Sequence, residues 1–106
     1  MFNTTLGFID EDIKNKLCIV FFSLNEALLC KPVKVTLELL EHDYKQSITF
    51  YELNVNNNVL VNTKYSIYFF PTVLAFKGGE IVGQIIGPKS KQRFIEMCEL
   101  LLKEQQ

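Results

Sequence analysis

No charge of one sign dominates this 106-residue chain: eleven Lys and Arg stand against twelve Asp and Glu, for a net charge of −1. That balance argues against nucleic acid as the main partner, since phosphate binding needs a concentrated basic surface. Lys31 with Lys34, and Lys89 with Lys91 and Arg93, read as solvated faces. Long hydrophobic runs are missing too. Leu17 to Phe22 is the longest and falls far short of the ~20 residues that span a bilayer, so no membrane partner is expected. Met1-Phe2-Asn3-Thr4-Thr5 lacks the basic start and apolar stretch of a secretory signal. Histidine occurs once, at His42, with no cysteine at a short ligand spacing. A zinc site is therefore not expected, and neither is any other cofactor. Cys18, Cys30 and Cys98 are an odd set, unsuited to a disulfide framework. Together with the missing export signal they predict a reducing, cytoplasmic setting.

A core-forming composition remains: 48% of residues are hydrophobic and 22% charged. The chain reads as a single domain over residues 1–106, long enough to bury a core without staples. Residues 3–6 suggest a short edge strand that Gly7 ends. Phe8 to Asn15 then reads as a helix with Ile9 and Ile13 on one face. Leu17-Cys18-Ile19-Val20-Phe21-Phe22 has the continuous apolar character of a strand covered on both faces, and Cys18 reads as a small buried hydrophobe within it. A long helix is predicted from about Ala27 to Tyr44, with Pro32 tolerated only in its first turn. Val33, Leu37, Leu40 and Tyr44 share its inner face, and Lys34, Glu38 and Glu41 are expected to face away.

Residues 47–55 read as the next strand, and Asn56-Asn57-Asn58 as the cap of a short helix reaching about Tyr65. Thr72–Phe76 and Ile81–Ile86 are predicted strands joined by the hairpin signal Lys77-Gly78-Gly79-Glu80. Ser90 is a plausible cap for a last helix, in which Phe94, Cys98 and Leu101 repeat at core spacing. The order β-α-β-α-β-β-α predicts an α/β fold with a mixed central sheet and helices on both faces.

The most informative stretch is Lys64-Tyr65, then Phe70-Pro71-Thr72, then an apolar strand and Lys77-Gly78-Gly79-Glu80, with Gly87 and Ser90 beyond. Pro71 must open its strand or lie at an edge, and an X-Pro bond is where a cis peptide is accessible. In these residues and their spacing the chain resembles the thioredoxin family over nearly its whole length. The resemblance implies the thioredoxin fold, a sheet of four to five strands, and a cis proline beside a Cys-x-x-Cys pair. In such a pair an exposed thiol of depressed pKa attacks, and a second thiol resolves the mixed disulfide.

Here the stretch matching that pair is Ala27-Leu28-Leu29-Cys30, followed by Lys31. Cys30 falls on the resolving cysteine and Ala27 on the attacking one. Phe21 falls on the family's buried aspartate, Glu52 on the lysine associated with it, and Ser23 on the tryptophan that follows the strand. Several substitutions at one site predict that dithiol cycling is not performed. Two readings follow. In the first, the domain binds a protein or peptide, or a second copy of itself as a homodimer. The surface would be Ala27, Leu28, Leu29, Tyr68, Phe69, Phe70, Pro71 and Ile86, where the resemblance implies a substrate groove and where aromatic rings make good anchors. In the second, Cys30 is a catalytic residue of an atypical single-cysteine oxidoreductase in redox homeostasis.

Overall fold

A computed structural model describes residues 2–3, 6–57 and 65–103. Its organising element is a five-stranded sheet, ordered β1-β3-β2-β4-β5. β1 (Phe2–Asn3), β2 (Cys18–Ser23) and β3 (Thr49–Asn54) run parallel. β4 (Thr72–Lys77) lies antiparallel to β2, and β5 (Glu80–Ile86) antiparallel to β4. Three helices, α1 (Leu6–Asn15), α2 (Cys30–Tyr44) and α3 (Lys91–Lys103), are described alongside it.

Side chains alternate across a strand, so one apolar run can feed two cores. Ile19, Phe21, Phe50, Val73 and Ala75 pack on one face beneath Val33, Leu37 and Leu40 of α2 and Phe94, Cys98 and Leu101 of α3. Cys18, Val20, Phe22, Leu53, Leu74 and Phe76 pack on the other, beneath Ile9 and Ile13 of α1. Phe21 and Phe22, adjacent in sequence, are thus both fully buried on opposite faces. Each contributes roughly 2–3 kcal/mol of hydrophobic stabilisation.

The sheet and the long elements agree with the expectations from the sequence; the ends of elements differ. Gly7 does not end a strand but lies in the first turn of α1, which opens at Leu6, and the described part of the edge strand is Phe2–Asn3. Gly7 is the second residue of the helix, where a glycine costs less than the ~1 kcal/mol of a helix interior, and the burial of Ile9 and Ile13 outweighs it. α2 starts at Cys30, inside the stretch from Leu28 to Lys31 where a first-turn Pro32 places the helix start. β3 is limited to Thr49–Asn54, and Val55–Asn57 forms a 3₁₀ turn. The rest of the short helix expected before Tyr65 falls largely on residues 58–64, outside the described residues. Gly78 and Gly79 both take positive φ, at 60° and 85°, which closes the β4–β5 hairpin with the twist its strands require. Ser90 Oγ accepts the Arg93 N–H at 3.3 Å, as a cap for α3 should.

Candidate functional site

β2 and β3 end, and β4 begins, at one end of the sheet, where α2 also starts. The chain leaves β2 through a tightly wound turn: the Ala27 N–H donates to Leu24 O (3.0 Å), the Cys30 N–H to Ala27 O (3.0 Å), and the Lys31 N–H to Leu28 O (3.4 Å). Leu29 caps α2 in a helical conformation without a side-chain hydrogen bond. Cys30 therefore opens the helix. A thiol in that position feels the positive end of the helix dipole, which favours thiolate. Burial opposes this and wins. Cys30 is 7% exposed and packs with the α2–α3 core. Its pKa is pushed up, chiefly by desolvation; a backbone hydrogen bond at Leu24 lowers it and the nearby Glu52 carboxylate raises it.

Glu52 is the polar surprise of this region. It is buried in β3 directly across from Phe21 of β2, and both carboxylate oxygens are engaged. Ser23 Oγ donates to Oε2 at 2.8 Å, and Lys34 Nζ lies 3.0 Å from Oε1. A carboxylate taken out of water needs such partners. The expectation that Lys34 faces away is thus corrected: its ammonium group reaches the Glu52 carboxylate of β3. Ser23, Asn25, Leu28, Lys31, Glu52 and Asn54 are among the residues lining a cleft of about 390 Å³ beside Cys30. Its far wall is fixed by asparagines: Asn54 Nδ2 donates to Asn25 Oδ1 and the Asn25 N–H to Asn56 Oδ1, each at 2.7 Å. The sequence held one sign of this cluster, an acidic residue inside the otherwise apolar strand Phe50-Tyr51-Glu52-Leu53.

The proline loop flanks the other side of the same sheet end. The Phe70-Pro71 peptide bond is cis. Thr72 Oγ1 donates to Phe69 O at 2.6 Å, and the Gly87 N–H donates to Pro71 O at 2.8 Å, tying the loop to the end of β5. Pro71 is buried and Phe70 partly so, packed against both cores. Tyr68 and Phe69 point outward instead, 71% and 64% exposed. Ile86, paired with Thr72, is also exposed, as are Leu28 and Leu29. Of the eight residues expected to form a binding surface, five are therefore exposed apolar side chains. Phe70, Pro71 and Ala27 lie further in, as supports. The cleft beside Cys30 shares only Ala27 and Leu28 with that surface.

The remaining thiols lie elsewhere. Cys18 and Cys98 are fully buried, and desolvation pushes their pKa values up to about 11 and about 12. Neither is disulfide-bonded, and Cys30 is likewise free. Among the described residues no group of His, Cys, Asp and Glu could hold a metal ion, and no helix is long and apolar enough to cross a membrane.

Comparison with known proteins bears on this arrangement. A family model described as Thioredoxin matches residues 3–99. A thioredoxin of Staphylococcus saprophyticus is 29% identical over 90 residues, covering 85% of this chain and 86% of the relative. One from Buchnera aphidicola is 32% identical over 77 residues, covering 70% of this chain and 71% of the relative. One from Griffithsia pacifica is 28% identical over 74 residues, 70% and 68% of the two chains.

Proposed function

This chain belongs to the thioredoxin family, and from the state of its thiol site we infer that it serves as a protein- or peptide-binding module in a reducing compartment rather than as a dithiol oxidoreductase. The observation that carries this reading is the pairing of Ala27 with a buried Cys30 whose pKa is raised. Dithiol exchange needs an accessible, low-pKa thiolate to attack and a second thiol to resolve. Ala27 supplies no sulfur, and burial favours the protonated form of Cys30.

Binding needs other things, and this end of the sheet offers them. Tyr68, Phe69, Leu28, Leu29 and Ile86 are exposed around a loop held by hydrogen bonds to Phe69 O and Pro71 O. Exposed apolar side chains on a fixed frame can be buried by a partner at little cost in ordering. Selection from a library of unstructured peptides, followed by calorimetry, tests the reading. A binder that the double variant Tyr68→Ser with Phe69→Ser no longer holds, in a protein with an unchanged circular dichroism spectrum, supports it. Binders unaffected by that variant count against it.

The names of the relatives favour a second reading, single-thiol exchange. In that reaction the Cys30 thiolate attacks one sulfur of glutathione disulfide, forming a mixed disulfide and releasing one glutathione thiolate. Mass spectrometry after incubation with glutathione disulfide decides between the two: a glutathionylated Cys30 in the folded protein establishes exchange, and an unmodified Cys30 ends it.

A further inference from the structure

α2 carries two apolar faces. Val33, Leu37 and Leu40 point into the core, as one amphipathic face should. Val35 and Leu39, one turn apart on the far side, are 55% and 54% exposed. Pro32 continues that ridge towards the start of the helix, and Leu28, 87% exposed, lies in the turn before it. Leu28, Pro32, Val35 and Leu39 follow the alternating spacing of four and three residues that makes a seam between paired helices. A soluble helix needs one such stripe, and the second is unpartnered here.

The charges beside this ridge select what fits it. Lys31 and Glu38 are both exposed, lie one heptad apart on the same flank, and have no ion-pair partner among the described residues. Lys31 sits near the start of α2 and Glu38 past its middle. Two helices packed antiparallel place the same flank of each against the other, so Lys31 of one copy approaches Glu38 of the second, and the reverse. The ridge is thus complementary to itself under a two-fold axis, and antiparallel helix dipoles add to the fit.

We propose that the chain forms a two-fold symmetric dimer through the solvent face of α2, with Val35 and Leu39 in the seam and two Lys31–Glu38 pairs beside it. The seam residues Val35 and Leu39 lie on α2 and Tyr68 and Phe69 on the proline loop, so the two surfaces share only Leu28, at the margin of each.

Sedimentation equilibrium over a range of concentrations tests this on the full chain. The wild type is expected to dimerise and the Val35→Glu variant to remain monomeric with an unchanged circular dichroism spectrum. Lys31→Glu and Glu38→Lys should each weaken self-association by about tenfold, because each sets like charges together at two places. The decisive arm is the mixture: Lys31→Glu combined with Glu38→Lys restores opposite charges at both pairs, so the two variants should associate with each other more tightly than either with itself. A wild type that stays monomeric to roughly 1 mM overturns the proposal. So does a dimer that survives Val35→Glu but dissolves in the Tyr68→Ser, Phe69→Ser variant, since its seam is then the proline loop. A mixture no tighter than its components removes the antiparallel pairing.

Discussion

Two neighbouring regions at one end of the sheet display opposite things. At the start of α2 the one thiol of this region belongs to Cys30, a residue only 7% exposed that packs with Phe21 in the α2–α3 core at the edge of the cleft. At the proline loop, side chains with no chemistry of their own are turned outward, Tyr68 at 71% and Phe69 at 64% exposure. Exchange chemistry asks for the reverse, an accessible thiol in a well-packed surround. The difference shows that one frame can bury one half and expose the other: hydrogen bonds to Phe69 O and Pro71 O hold the loop, and Cys30 packs into the core.

The strongest way to break the comparison is to force polarity back into the thiol half. Phe21→Asp places there the aspartate that the family resemblance assigns to this position. Phe21 is fully buried and lies across from Glu52, so the variant opens a cavity and sets a second carboxylate beside the first. A loss of about 4 kcal/mol or more is expected in urea denaturation. A loss below about 1 kcal/mol would show that the region is less tightly packed than its burial implies. Next in size is the opposite experiment on the loop half. In the Tyr68→Ser, Phe69→Ser variant, stability should change by less than about 1 kcal/mol because both rings are exposed. Affinity for a selected peptide should fall by roughly thirtyfold, the effect of losing aromatic anchors.

How much of this could be read from the sequence depends on the range of the interaction concerned. Continuous apolar runs, turn glycines and helical spacing are local signals, so β2, α2, the Gly78-Gly79 hairpin and the core roles of Cys18 and Cys98 were all legible. The cleft was less so. Glu52 and Ser23 are separated by 29 residues and meet only because β2 and β3 pair in register. Lys34 has a flexible stem, and helical periodicity assigned it to the outer face while the demand of a buried carboxylate drew it back. The exposed ridge at Val35 and Leu39 was legible in composition but not in consequence, since periodicity finds one apolar face and stops.

The Lys34–Glu52 pair gives a smaller, sharper probe of the thiol half. Lys34→Met keeps most of the stem and removes the charge, leaving Glu52 held by Ser23 alone. Lys34 is 43% exposed, so water offsets part of the loss, and about 1–2 kcal/mol of destabilisation is expected near neutral pH. Adding Glu52→Gln should recover much of it, because the amide needs no counter-charge and its oxygen can still accept from Ser23. If the double variant is no more stable than the single one, the pair does not act through charge.

The smallest effect is the one that separates the causes of the raised Cys30 pKa. Burial is the largest influence raising the Cys30 pKa, and the Glu52 carboxylate is a lesser one in the same direction. Glu52→Gln removes only the second. The pH midpoint for alkylation of Cys30, resolved by mass spectrometry, should therefore fall in this variant yet stay above the ~8.5 of a free thiol. The same shift has a thermodynamic side. A thiol whose pKa is higher folded than unfolded contributes stability that is fully present below the unfolded value and is lost as pH rises through the folded one. The wild type should thus lose stability on moving above about pH 8.5, as the raised Cys18 and Cys98 also require, and Cys30→Ala should remove only the share of that slope that Cys30 contributes. A midpoint below ~8.5 in the wild type would reverse the sign of the Cys30 contribution and make Cys30 a poised nucleophile, which is the result that would favour thiol exchange over binding at this end of the sheet.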